Sequence, residues 1–294
     1  MDRRKIVQAI SAFIMNADIK NFFIGKIYNG NMKYVCVPGL NCYSCPAAIG
    51  SCPIGALQAV AASSKYSISY YTMGLLILFG VVLGRFSCGW LCPFGLIQEL
   101  LHKIPAPKLK IKLSVDRILR YFKFGILAFF VLALPALMVN EYGLGIPWFC
   151  KYICPVGTLE GGIPLILLNK SLQSALGLLF SWKLAVLVII IILSIYLNRP
   201  FCKYLCPLGA VYGLFNKISI FRYSIEQEKC IGCKKCSQNC KMNIEVHTSP
   251  NNIECIRCGE CIKICPKAMT WINKTSSAQL STKSTHCRSL SKSF

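Results

Sequence analysis

Carboxylates are scarce in this chain: 11 Asp and Glu in 294 residues, against 33 Lys and Arg. Histidine is scarcer still, at three, and His102, His247 and His286 share no motif spacing, so they read as solvated loop residues. No catalytic acid–base set can be assembled from so few groups. Walker A, a GxGxxG fingerprint and a Ser–His–Asp order are all lacking, and Gly161-Gly162 reads as a turn rather than a phosphate cradle. Charge is low overall: 15% of residues, against 54% hydrophobic and a mean hydropathy of +0.52. That excludes a disordered basic protein and argues against an ordinary soluble enzyme. The net charge of +22 sits in basic residues that flank apolar runs. This is the pattern of cytoplasmic loops in a membrane protein, so lipid is the expected partner and nucleic acid is not.

Segment 67–84 carries no charge and reads as one span, with Lys65 and Arg85 at its ends. Segment 124–140 is a second, with Pro135 inside, and 171–197 a third, interrupted only by Lys183. A hydrocarbon core of ~30 Å needs ~20 helical residues, and snorkelling ends supply a shortfall. Segment 6–24 is a fourth candidate, but Asn16, Asp18 and Lys20 lie in its second half, so a surface-lying helix competes with a span. Segment 85–123 holds eight Lys and Arg against two acids, 140–171 two against two, and 198–270 eleven against five. The positive-inside rule places the first and last in the cytoplasm and the middle one outside. The expectation is an α-helical, multi-pass protein of the cytoplasmic membrane with 3–4 transmembrane helices, both ends inside when four cross.

What the chain has in abundance is cysteine, 19 in all. Cys230, Cys233, Cys236 and Cys240 form CxxCxxCxxxC, and Cys255, Cys258, Cys261 and Cys265 repeat it, followed by Pro266. A tight CxxCxxC turn brings three thiolates to one cubane, and the fourth Cys of each run reaches the other cluster. Cys230, Cys233, Cys236 and Cys265 are thus expected to hold one [4Fe-4S] cluster, and Cys255, Cys258, Cys261 and Cys240 a second. Zinc favours separated CxxC pairs, and disulfides are disfavoured in the cytoplasm. Lys241 stands where the bacterial motif usually has proline.

CxxxCPxG occurs three times at span ends: Cys88 and Cys92, Cys150 and Cys154, Cys202 and Cys206. Cysteines at i and i+4 share a helical face, so both thiolates can meet one object. Proline then suits the start of a further helix, and 95–104 and 209–218 read as amphipathic helices lying along the bilayer surface. Packing of small apolar cysteines is the competing reading. Topology groups Cys88, Cys92, Cys202 and Cys206 as a third cluster site. Cys36, Cys42, Cys45 and Cys52 fall outside with Cys150 and Cys154, where a further cluster, disulfides or a redox CxxC at Cys42 and Cys45 remain open.

These motifs resemble those of the NapH-type membrane ferredoxins, whose relatives include the membrane parts of NosR and CcoG-like proteins. The resemblance runs over 67–270. It implies electron passage between a quinol pool or soluble donor and an extracytoplasmic redox protein, as the electron-transfer subunit of an oxidoreductase. The motif at Cys150 and the Cys36 to Cys52 group depart from that pattern. The expected organisation is an amino-terminal helix and Cys-rich segment (1–66), a membrane domain (67–220), a cytoplasmic ferredoxin-like α+β domain (221–270) and a disordered tail (271–294) with a spare thiol at Cys287. The leading reading is an iron–sulfur electron relay with two [4Fe-4S] clusters and one or two more. The alternative is an assembly factor that reduces a metal or thiol site of another protein. A quinone site near Trp90, Phe94 or Tyr204 competes with their reading as interfacial anchors.

Overall fold

The computed structural model describes residues 3–63, 70–109, 111–140, 145–174, 177–265 and 268–272. Among them, two helices are long and apolar enough to cross a bilayer: Leu113–Leu137, 25 residues, and Leu178–Tyr196, 19 residues. At 1.5 Å per residue they are ~37 and ~28 Å long, against a hydrocarbon core of ~30 Å. Their outward sides are apolar and exposed, through Phe129 and Leu132 on the first and Trp182, Ile189 and Ile192 on the second. A surface of this kind is suited to lipid.

The first helix starts at Leu113, not at 124, because its charges are paired inside the protein. Arg120 donates to Asp116 and to the carbonyls of Met242 and Asn243, and Lys123 meets Glu254 at 2.5 Å. Its backbone widens into a π-type stretch over Leu127–Ala133 ahead of Pro135, a usual accommodation of a helix to an internal irregularity.

The other expected spans come out shorter. Tyr70–Leu83 has 14 residues, ~21 Å, and 64–69 lie outside the described residues. Segment 6–24 is not one helix. Arg3–Met15 ends before Asn16, and Ile19–Ile24 restarts under an Asp18 cap that accepts from Asn21 N–H at 3.1 Å. The polar residues that weakened this stretch in sequence are those that break it. Among the described residues, two of the 3–4 transmembrane helices expected from sequence reach spanning length.

The helices after the CP dipeptides, expected along the bilayer surface, each pack one side against other helices. Pro207–Phe215 buries Leu208, Ala210, Tyr212 and Gly213 against Tyr70–Leu83 and Leu113–Ile126. Pro93–Leu101 buries Phe94, Gln98 and Glu99 between Arg3–Met15 and Leu178–Tyr196. Arg3–Met15 is fastened along this region by Arg4 to Gly89 O, Gln8 to Cys92 O and Ser11 to Leu91 O.

The carboxy-terminal segment closes on an antiparallel strand pair, Arg222–Ile225 with Met269–Ile272, so pairing runs two residues past the expected boundary at 270. Residues 273–294, with Cys287, lie outside the described residues. The loop Cys255–Cys258 is pressed onto the Phe86–Trp90 helix. A Cβ at Gly89 would lie 2.1 Å from Ile256 O. Trp90 Nε1 donates to Arg257 O at 2.9 Å, and the fully buried Arg257 donates to Leu83 O, Asn216 O and Ser219 Oγ.

Candidate metal centres

Each CxxxCP segment forms a wide turn. The N–H of Cys92 reaches Ser87 O at 3.0 Å, that of Cys154 reaches Phe149 O at 2.9 Å, and that of Cys206 reaches Phe201 O at 2.9 Å. The second cysteine caps the next helix with proline at its first position, where a missing N–H costs nothing. Gly209 N–H donates to Cys206 Sγ at 3.4 Å, and Gly55, Gly95 and Gly157 stand at the same place after Cys52, Cys92 and Cys154. A side chain has little room at two of these glycines: a Cβ at 95 would meet Arg199 Nη1 at 2.9 Å, and one at 209 would meet Arg85 Nη2 at 3.1 Å. Read this way, CPxG occurs at Cys52 as well. Sequence reasoning missed this fourth copy because no cysteine stands four residues before it.

The four copies pair into two thiol quartets. Cys88 and Cys92 meet Cys202 and Cys206, all four buried and within electrostatic reach of one another. Cys150 and Cys154 meet Cys42 and Cys52 around a cavity of about 730 Å³, lined mainly by apolar and small residues. Cys36 and Cys45 border the second quartet, Cys36 within electrostatic reach of Cys52 and Cys45 packed on Cys42, but neither lines its cavity. Cys36 bridges to Ser51 through its backbone, while Cys45 packs on Ala47 and Ala48 with its Sγ 3.6 Å from Asn16 Oδ1.

Burial, with Cys202 and Cys88 alongside, pushes the Cys92 thiol up to about 12. Burial, with Cys52 and Cys42 nearby, pushes Cys150 to about 12 as well. Thiols held up in this way stay protonated unless a soft metal centre among them supplies compensating positive charge. Among the described residues no three His, Cys, Asp or Glu side chains close on a single ion.

Two buried arginines brace the first quartet in a reciprocal way. Arg199, at φ +51°, donates to Cys88 O at 2.6 Å and to Glu99 at 3.0 Å. Arg85 donates to Cys202 O at 3.1 Å and to Glu254 at 2.6 Å. Each stands three residues before the first cysteine of its motif. Despite burial, Arg199 and Arg4 hold the Glu99 carboxyl down at about 2, so it is ionised at any pH a cluster survives. In sequence Arg85 reads as a span-end charge; its RxxC spacing, shared with Arg199, was the available signal.

In the carboxy-terminal segment Cys240 joins Cys255, Cys258 and Cys261 around a small cavity of about 20 Å³, the crossed grouping expected from sequence. Cys230, Cys236 and Cys265 are half-buried and Cys233 is exposed. Lys241, in place of proline, pairs with Glu260 at 3.3 Å. The aromatics considered for a quinone are occupied otherwise: Trp90 stacks on Phe86, Phe94 is buried against Phe201, and Tyr204 OH donates to Asp116 at 2.5 Å.

Paired CxxxCP turns on a membrane-compatible helical frame, joined to a two-run cysteine segment, define a membrane-associated iron–sulfur protein. A family profile described as "4Fe-4S binding domain" matches residues 68–112, 124–167 and 178–225, one copy for each CxxxCP motif. Two uncharacterised proteins of Methanocaldococcus jannaschii are similar. One is 32% identical over 194 residues (66% of this chain, 74% of that protein), the other 26% over 220 residues (73% and 74%). A putative electron transport protein of Escherichia coli, YccM, is 29% identical over 216 residues, covering 69% of this chain and 56% of its own length. No solved structure matches. The chain belongs to the membrane ferredoxin family of 4Fe-4S proteins related to NapH, NosR and MauN, and is an iron–sulfur electron-transfer protein.

Proposed function

We propose that this protein relays electrons through four centres arranged in a row, from the carboxy-terminal segment into the membrane bundle. Cys230, Cys233, Cys236 and Cys265 would hold the outermost cluster, and Cys240, Cys255, Cys258 and Cys261 the next. Cys88, Cys92, Cys202 and Cys206 would hold the third, and Cys42, Cys52, Cys150 and Cys154 the fourth. Bound clusters supply one-electron redox chemistry with little rearrangement. The protein's own part is to fix spacing and exclude water.

The observation that carries this reading is the continuity of the row. Ile256 O is packed on Gly89, one residue from Cys88, which ties the second cysteine set to the third. A Cβ on Gly39 would lie 3.1 Å from Cys92 Cα. Gly39 is three residues from Cys42, so the Cα atoms of Cys92 and Cys42 are no more than about 16 Å apart. That is well inside a hydrocarbon core of ~30 Å. Tyr212, fully buried, fills the space between, within electrostatic reach of Cys88, Cys92 and Cys52. Lipid surrounds the bundle in this reading, a multi-pass arrangement with the carboxy-terminal segment in the cytoplasm. A cytoplasmic protein or a quinone is the donor, and a redox protein the acceptor. The thiol-exchange alternative is disfavoured by Cys45, which is 4% exposed and turned toward Asn16.

Electron entry tests the order. In membranes supplied with a non-permeant reductant on the cytoplasmic face, the bundle signals should reduce rapidly in the wild-type chain. In Cys258→Ala they should reduce far more slowly. Equal rates in the two would remove the carboxy-terminal segment from the path.

A further inference from the structure

The two membrane quartets share a detail that the cysteine pattern does not contain. Six residues after Cys52 stands Gln58, and six after Cys92 stands Gln98. Both are buried, at 0% and 1% exposure. Gln98 Nε2 donates to Cys202 Sγ at 3.1 Å, while its Oε1 accepts from Phe201 N–H at 3.2 Å. Gln58 Nε2 donates to Cys150 Sγ at 3.0 Å, while its Oε1 accepts from Phe149 N–H at 3.0 Å. The remaining contacts also match: Gln98 Nε2 faces Phe94 O at 3.4 Å, and Gln58 Nε2 faces Ile54 O at 3.4 Å. The backbone N–H can only donate, so it fixes which end of each amide is oxygen and turns the NH₂ to the sulfur. Each glutamine lies on the helix after one cysteine limb and reaches across to the other. The consensus is CPxGxxQ facing FCKYxCP, built twice in one chain.

Taking the quartets as cluster sites, as above, we propose that Gln98 and Gln58 are equivalent positioning residues that set the reduction potentials of the two membrane centres through N–H···S hydrogen bonds. One-electron reduction adds a negative charge, shared with the cysteine sulfurs, while no bond is made or broken. A donor aimed at sulfur stabilises the more negative state and raises the potential. The same amide ties the first cysteine of the FCKYxCP limb in place through the preceding N–H. Two variants separate the roles. Gln98→Glu keeps an oxygen for Phe201 N–H and turns a carboxyl oxygen, repulsive when ionised, toward the sulfur, and Gln98→Met removes both amide contacts without adding charge.

The test is an EPR-monitored redox titration of the full-length chain, purified anaerobically, with iron counted in each sample. The third-centre signal is assigned as the one lost in Cys88→Ala, and the fourth as the one lost in Cys154→Ala. In Gln98→Glu the iron content should hold. The third-centre midpoint should fall by an amount equivalent to roughly tenfold in the reduction equilibrium, ~59 mV for one electron. The fourth-centre midpoint should stay in place. Gln58→Glu should reverse the pattern. Unmoved midpoints, both midpoints moving together, or loss of the centre's iron in Gln98→Glu as well as Gln98→Met would each overturn the inference. A wild-type chain with only carboxy-terminal cluster signals would instead overturn the cluster sites themselves, and the glutamine role with them.

Discussion

Replacing Cys88 or Cys202 by alanine should remove one and the same centre, with iron falling by about four atoms per chain in either variant and no further in the double. The two residues are 114 positions apart in sequence, yet their thiols interact in a buried pocket with Cys92 and Cys206. A cubane that loses one of four thiolates from a water-excluded site has no replacement ligand at hand. Cys52→Ala and Cys154→Ala should remove a different four atoms, again without addition between them. Cys36→Ala and Cys45→Ala should leave iron unchanged, since neither lines the cavity that Cys42, Cys52, Cys150 and Cys154 share. Iron analysis of anaerobically purified protein reads all six single variants and the two doubles. Additive losses for Cys88 and Cys202 would mean that the motifs serve separate sites.

Replacing Glu254 by leucine should release the carboxy-terminal segment from the bundle. Glu254 is 5% exposed and takes both Arg85, at 2.6 Å, and Lys123, at 2.5 Å. Removing one partner from a buried charge cluster typically costs ~3–5 kcal/mol, because the remaining charges stay dry and unpaired. Here two cations would be stranded. Arg85 also holds Cys202 O, so the third centre should loosen together with the docking. The expected signs are a large fall in thermal stability and rapid protease cleavage of the segment beyond residue 221. Lys229→Ala, which breaks the exposed pair with Glu226, should change neither. An Arg85→Leu, Lys123→Leu and Glu254→Leu triple variant that recovers docking would show that the stranded charges, rather than lost packing, are the cause.

The cysteine chemistry was readable from sequence because ligand spacing is local. CxxCxxCxxxC and CxxxCP are each set within a turn or two of chain, and the pairing of Cys88 and Cys92 with Cys202 and Cys206 followed from loop charge. The fourth CPxG was on the page at Cys52 but did not match a CxxxC template, since its partner thiol, Cys42, arrives on a separate loop. Gln58, Gln98, Arg199 and Glu99 gave little sign, because their roles are contacts between segments distant in sequence. The spans were less legible. A window of apolar residues does not show where a helix will break, and segment 6–24 divides at Asn16 to Asp18. Arg120 and Lys123 looked like loop charges but sit inside a long helix, satisfied by carbonyls and a carboxylate from residues 242–254.

The central claim is that the membrane bundle itself holds two clusters beyond the two of the carboxy-terminal segment. The most direct measurement is the cluster count of the intact, anaerobically purified chain, by iron and acid-labile sulfide together with Mössbauer spectroscopy. The prediction is about sixteen iron atoms per chain, all in cubane environments. About eight iron atoms, unchanged when Cys88 and Cys154 are both replaced by alanine, would confine the clusters to the carboxy-terminal segment and contradict the account.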